Sequence, residues 1–181
     1  MRGHIRERGR GTWELRVFLG RDPITRRDRY KTRTFKGSKK DAEKELATLR
    51  QGQLLARAGE LAGAAERRGP VRFVGAVVDG VEGADDLRSV ALDVRQRLGA
   101  TEPAVVVLGG VVKDRPVVVA ATNEPARGAG VKAGALVRTA AGRLGGGGGG
   151  KDDVAQGGGT DTGALPAAVA AVGADLDGAG A

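Results

Sequence analysis

Cysteine is absent from the 181 residues and histidine occurs once, at His4. The first absence excludes disulfides and thiolate metal sites and points to a reducing compartment. Aromatic residues are almost as scarce, limited to Trp13, Phe18, Tyr30, Phe35 and Phe73. No apolar run approaches the roughly 20 residues of a membrane span, and the charged N-terminus lacks a signal-peptide core. The chain is therefore expected to be soluble and cytoplasmic, without membrane contact. Catalytic groups are missing in the same way. Tyr30 is the sole tyrosine and lies among cations, without the partners that would activate a nucleophile. The carboxylates of Asp85-Asp86 and Asp152-Asp153 are sequence neighbours, so their side chains diverge; they read as a helix cap and a solvated loop. No enzyme activity, no cofactor and no metal site is expected.

What is present is distributed unevenly. Through Arg50 there are 16 Lys and Arg against 7 Asp and Glu, a net of +9, while the remainder carries 14 against 15, a net of −1. Four of the five aromatics precede Arg50, and 27 of the 32 glycines follow it. Two unlike sequences are joined, and a length of 181 residues accommodates two small domains.

In the first half, residues 4–8 and 12–19 read as short strands. Trp13, Leu15, Val17 and Leu19 alternate with Glu14, Arg16 and Phe18, a period of two that gives one face to a core. Trp13 on that face reads as a core anchor. Gly20-Arg-Asp-Pro23 supplies turn chemistry before a third strand from about Arg29 to Phe35. Ser38 opens Ser-x-x-Asp, a capping-box variant, and Ala42, Leu46 and Leu49 follow at helical spacing. Gly11-Thr-Trp-Glu-Leu-Arg-Val17, Gly20-Arg-Asp-Pro23, Thr34-Phe35 and Lys39-Lys40-Asp41-Ala42-Glu43 together resemble the N-terminal arm-type DNA-binding domain of phage tyrosine integrases. The resemblance implies a small sheet that enters the major groove of duplex DNA. It carries the groove-facing role to Arg16, Lys31 and Arg33, and leaves Arg6, Arg8, Lys39 and Lys40 for phosphates. The bland alternative is a solvated basic surface with nonspecific attraction to polyanions.

In the second half, apolar positions from Leu54 to Ala65 continue the helix, with a break expected near Gln51 to Gln53 because Gly52 weakens it. Val71 to Val78 is almost continuously apolar, as a strand buried on both faces would be. Asp85 is a fair N-cap for a helix with Leu87, Val90, Ala91, Val94 and Leu98 on one stripe. Ala104 to Leu108 and Val117 to Ala121 are further strands, with Lys113-Asp114-Arg115-Pro116 between them, and a βαβ unit is the expected core. A helix from Val131 or Ala133 to Leu144 runs into Gly145 to Gly150, and Leu165 to Val172 forms a short terminal helix.

Val71 to Gly80, Asp85 to Gly99, Val105 to Gly109, Val117 to Ala121, Gly145 to Gly150 and Val154-Ala-Gln-Gly-Gly-Gly159 resemble the C-terminal domain of alanyl-tRNA synthetase, also found beside the catalytic domain of DHH-type phosphoesterases. That family usually reads six glycines, Arg-Pro-Asp-Met, then Ala-Gln-Ala-Gly-Gly. Here Lys151 and Asp152 replace Arg-Pro, Val154 replaces Met and Gly157 replaces Ala. The resemblance implies engagement of the tRNA elbow, and also suggests a dimerisation role. The reactions of both families reside in domains that have no counterpart in these residues. Absent Cys and a single His exclude the zinc site of a synthetase editing domain.

Gly145-x4-Gly150-Lys151 also nearly matches a phosphate-binding Walker A loop. It lacks the following Ser or Thr, and a helix rather than a strand precedes it, so an NTPase is not expected. From Pro125 to Lys151 there are five cations and no Asp or Glu. Arg138, Arg143, Gly145, Gly146, Gly147, Gly148, Gly149, Gly150, Lys151, Gln156, Gly157 and Gly158 are therefore the candidate RNA or phosphate contacts. Against this stands the reading that the glycines merely let the segment lie flat on a sheet.

The expected architecture is an α+β module of three antiparallel strands and one helix over residues 1–50 and a helical connector over 51–69. An α/β module with a mixed sheet and a Gly-rich loop follows over 70–177, then a frayed tail at 178–181. The expected function is noncatalytic nucleic-acid binding, with duplex DNA for the first module and tRNA or other RNA for the second. The alternatives are a rearranged fusion without dedicated function and a homodimeric adaptor.

Overall fold

The computed structural model describes residues 3–22, 24, 25 and 27–178. Pro23 of the expected turn and residues 179–181 of the expected tail lie outside the described residues. The chain packs as two units that meet in sequence between Ala56 and Arg57.

The first unit contains β1 (Gly3–Gly9), β2 (Thr12–Arg21) and β3 (Asp28–Lys36), paired antiparallel in that order, followed by α1 (Lys39–Gly63), whose residues from Arg57 on belong to the second unit. Its core is Leu15, Val17, Ala42 and Leu46, joined by Ile5, Trp13, Phe35 and Leu49. The alternation in β2 thus puts Trp13, Leu15 and Val17 against α1, while Leu19, at the register shift between Phe18 and Gly20, stays outside that core. Trp13 is a core anchor whose indole Nε1 donates to the Gly37 carbonyl at 3.0 Å. Ser38 caps α1 as its sequence implies: its Oγ accepts from Asp41 N at 3.2 Å and donates to Asp41 Oδ2 at 2.6 Å. Phe18 keeps the alternation but not the exposure expected of that face. It is buried on the opposite face, where a register shift between Phe18 and Gly20 brings it against Tyr30.

The break expected near Gln51 to Gln53 does not occur, and α1 runs unbroken to Gly63. One exposed glycine costs a helix about 1 kcal/mol, which strong helix formers on either side offset. The helical stretch expected to reach Arg68 instead stops there, and Glu66–Arg68 forms β4.

The second unit adds β5 (Val71–Val77), α2 (Ala84–Leu98), β6 (Ala104–Val112), β7 (Arg115–Thr122), α3 (Glu124–Gly128), α4 (Ala133–Arg143), β8 (Gly147–Gly150), β9 (Val154–Gly158) and α5 (Leu165–Gly178). Its six strands form a mixed sheet in the order β4-β5-β6-β7-β9-β8. β5 and β6 are parallel and joined through α2, which is the expected βαβ unit, and the other pairs are antiparallel.

Helices cover the two faces unequally. A Cβ on Gly109 would meet Leu165 and Val169 of α5, whereas one on the next residue, Gly110, would meet Leu87 of α2. α2 packs on β6 and β7. α4 packs on β7, β9 and β8, and α5 lies beside it on β5 and β6. The α4 and α5 side holds the main core, from Val71 and Phe73 through Val137, Leu144 and Leu165 to Leu176.

Several boundaries differ from expectation for local reasons. The five-residue stripe of α2 is buried as read, but its N-cap is Gly83 rather than Asp85, which lies inside the first turn with Asp86. There both carboxylates complement the helix dipole. The connection read as Lys113 to Pro116 contracts to two residues, because Lys113 and Asp114 adopt φ of 49° and 60° and close a hairpin. α5 extends to Gly178 rather than stopping at Val172, since Leu176 is 4% exposed and still belongs to the core.

Candidate functional site

The glycine run is a strand, not a loop. Gly147 to Gly150 pairs with Ala155 to Gly158 and forms one edge of the sheet. Its two faces differ. A Cβ on Gly148 would lie 2.5 Å from Gly157 Cα and 2.6 Å from Val137 Cγ1 of α4, well inside van der Waals contact. Gly157, across the pair, is under the same constraint, with Val137 Cγ1 at 2.8 Å. Glycine at these positions lets α4 approach the sheet closely. On Gly147 and Gly149 a Cβ would meet nothing within 4 Å. Those two alternate with the constrained ones and face away from α4, onto a part of the sheet that α2 does not cover.

An open groove of about 520 Å³ lies there. Gly147, Gly158 and Gln156 contribute to its floor, with Gly145, Gly146, Gly148 and Gly157 beside them. Its walls come from Ala84 at the start of α2, from Arg115 to Val117 of β7, and from Thr160. Both ends of the glycine strand are tied down. Gly146 N donates to Ala141 O at 3.0 Å, and Lys151 N to Val154 O at 3.0 Å. The Asp152-Asp153 turn is pinned through its carbonyls, which accept from Ala133 N, Thr122 N and Thr122 Oγ1 at 2.9, 2.9 and 2.7 Å. No P-loop geometry exists, because the glycines run as a strand and a turn follows Lys151.

Of the candidate RNA or phosphate contacts, Gly145, Gly146, Gly147, Gly148, Gln156, Gly157 and Gly158 line this groove, and Gly149, Gly150, Lys151, Arg138 and Arg143 do not. Arg138 and Arg143 project from α4, exposed, and Gly149 continues the open face beyond the groove. Lys132 is taken up by Asp152, with Nζ to Oδ2 at 3.1 Å. The cation that does line the groove is Arg115, which is exposed and has no ion pair among the described residues. Sequence reasoning placed it in a loop; only the pairing of Val117 with Gly158 brings it to the glycine floor.

The candidate DNA contacts of the first unit divide between two faces. Register pairs Arg16 with His4 and Thr32, and Arg6 with Glu14, all on the face away from α1. Lys31 and Arg33 lie opposite Val17 and Leu15, hence on the α1 face, and Arg33 is engaged by Glu45. The expected grouping of Arg16 with Lys31 and Arg33 therefore fails geometrically. On the open face Arg8 Nη2 holds Glu14 Oε2 at 2.6 Å. That hydrogen bond, with the charges of Arg8, Arg16 and Arg6, keeps the Glu14 carboxyl below its ordinary 4.5. Lys39 and Lys40 open α1, with Lys39 Nζ at 4.0 Å from Glu43 Oε1.

Among the described residues no group of three or more His, Cys, Asp or Glu side chains is gathered as a metal ion would require, and no helix is long and apolar enough to cross a membrane.

Comparison with known proteins places these features. The family model described as "DHHA1 domain" matches residues 71–177, more than half of the chain. Alanine--tRNA ligase from Renibacterium salmoninarum is 62% identical over 130 residues, covering 72% of this chain and 14% of the relative. The corresponding ligase from Arthrobacter sp. is 60% identical over 133 residues, covering 74% and 15%. The chain thus spans only 14–15% of the length of these relatives. Among solved structures, the C-Ala domain of Aquifex aeolicus alanyl-tRNA synthetase matches with a TM-score of 0.55 at 29% identity, over 62% of this chain and 97% of that one.

Proposed function

The chain belongs to the DHHA1 domain family through residues 71–177, and on that premise we propose that it is a noncatalytic nucleic-acid-binding protein whose second unit takes tRNA or another folded RNA. The observation that carries this reading is the side-chain-free face of β8 beside Arg115. A bare glycine surface admits a sugar-phosphate backbone or a base plane closely, and Arg115, with no ion pair among the described residues, is available for phosphate. The relatives that share this unit are named for joining alanine to tRNA, which makes tRNA the RNA to test first. Arg138, Arg143 and Lys151 then serve as outlying phosphate contacts rather than as groove residues.

The first unit is proposed to bind duplex DNA, in line with its resemblance to the integrase arm-type domain. Three strands spaced about 4.8 Å apart span roughly 10 Å, against a major groove about 12 Å wide. The face offered is the one away from α1.

Binding of the full chain to tRNA and to duplex DNA, each across a salt series, tests both assignments. Arg115→Glu is expected to weaken tRNA binding and leave duplex binding alone, and Arg6→Glu with Arg16→Glu to do the reverse. If the chain holds tRNA no tighter than an unrelated protein of equal charge does, the RNA assignment falls.

A further inference from the structure

Arg16 occupies an unusual position on the open face of the first sheet. It lies on the central strand β2, between His4 of β1 and Thr32 of β3. Its guanidinium carbon stands 4.4 Å from the centroid of the Tyr30 ring. That ring is itself held on two sides. Phe18 meets it edge-on, with centroids 5.6 Å apart and planes at 65°, and the Tyr30 hydroxyl donates to Asp28 Oδ2 at 3.4 Å. Phe18 is only 6% exposed, so the platform beneath Arg16 is partly a packed one. Among the described residues no carboxylate hydrogen-bonds Arg16, and the nearest acid along the strand, Glu14, is engaged by Arg8.

A guanidinium held over an aromatic ring loses little further freedom when it binds, and Arg16 is exposed, so its N–H groups can still reach a ligand. The other cations of this face are placed differently. Arg8 is spent on Glu14, while Lys36 pairs with Thr12 at the far end of the sheet, and Arg6 lies on the edge strand β1. When a sheet lies in a groove, side chains at its centre meet base edges and those at its margin meet the sugar-phosphate walls.

We propose that Arg16, pre-set by Tyr30, is the residue through which the first unit distinguishes DNA sequences, its fork donating to the paired acceptors of a guanine in the major groove, while Arg6 and Lys36 meet phosphates. This rests on the duplex-DNA reading above. Tyr30 acts as a positioning residue, and Lys31 and Arg33 take no part in base recognition, being on the α1 face.

Selection from a pool of random-sequence duplexes, followed by sequencing, tests it with the full chain and with Arg16→Lys, Tyr30→Leu and Lys31→Ala. The wild-type chain is expected to enrich a motif containing a fixed G·C pair. Arg16→Lys keeps the charge but loses the fork, so preference at that pair falls roughly 10- to 100-fold while the other positions stay fixed. Tyr30→Leu erodes the same pair, and Lys31→Ala leaves the motif unchanged. An unaltered motif with Arg16→Lys overturns the inference and leaves the DNA reading standing. So does a uniform loss across all sequences with a salt slope shallower by about one, which marks a phosphate contact, and so does wild-type duplex binding without any motif. If the wild-type chain retains no duplex above the level of an unrelated protein of equal charge, the inference and the DNA reading fall together.

Discussion

Filling the outward positions of the glycine strand is expected to separate folding from binding in the second unit. In Gly147→Val with Gly149→Val the new side chains enter space with nothing within 4 Å of either Cβ. Each replacement removes the excess freedom that glycine gives the unfolded chain, about 0.5–1 kcal/mol, and adds a β-favouring residue. The double variant should therefore be more stable by roughly 1–2 kcal/mol, a rise in melting midpoint of about 3–8 °C for a unit of this size. Gly148→Ala adds one methyl on the other face, 2.5 Å from Gly157 Cα and 2.6 Å from Val137 Cγ1. Overpacking of that kind costs about 1–3 kcal/mol, and more where the obstructing atom is backbone. Urea unfolding of the full chain measures both, and tRNA binding below the transition reads the groove. The expected pattern is a stabilised double variant that has lost tRNA binding and a destabilised single variant that retains it while folded. A Gly148→Ala chain as stable as wild type would refute the assigned faces of the strand. A stabilised double variant that still binds tRNA at full affinity would refute the use of its open face.

Asn123 is 7% exposed and satisfies four backbone groups, accepting from the buried Ala104 N and Ala126 N and donating to the part-buried Gly99 O and Glu102 O. Asn123→Ala is expected to destabilise the second unit by about 2–4 kcal/mol, combining a lost N-cap with stranded partners; a loss under 1 kcal/mol in urea melts would contradict that role. At the hairpin tip, Lys113→Asn with Asp114→Gly suits φ of 49° and 60° better than the native pair, and a gain of about 1–2 kcal/mol is expected by the same assay. For Glu14, whose folded-state pKa lies below 4.5, the stabilising contribution is complete above the unfolded value and is lost as pH falls through the folded one. The melting midpoint of the first unit should accordingly drop on acidification below about pH 4.5, and less steeply in Glu14→Gln. Equal slopes in the two proteins would show that the Arg8 pair is not responsible.

Periodicity alone exposed much of this architecture. The five apolar positions of α2, the alternation of β2 and the Ser38 cap were legible because each is a local pattern matched by local structure. The glycine strand was not, because glycine is a poor strand former and what holds Gly147 to Gly150 in place is packing that their own composition does not announce: Val137 of α4 against one face and the ladder to β9. Arg115 was hidden for a related reason. Lys113 and Asp114 close a tight turn in a left-handed conformation that their side chains do not advertise. The faces of Lys31 and Arg33 depend on how β3 is registered against β2. A register shift between Phe18 and Gly20 reverses the parity that counting residues would suggest.

A strand built of one repeated residue carries no internal mark of its own alignment, since sliding it by a position exchanges identical units. In β8 that information resides at the two anchors, where Gly146 is tethered to Ala141 and Lys151 to Val154. The span between the anchors is consequently a fixed measure of chain, indifferent to composition on its outward side yet intolerant of an added or deleted residue. An extra glycine would have to be extruded as a bulge at the rim of the groove.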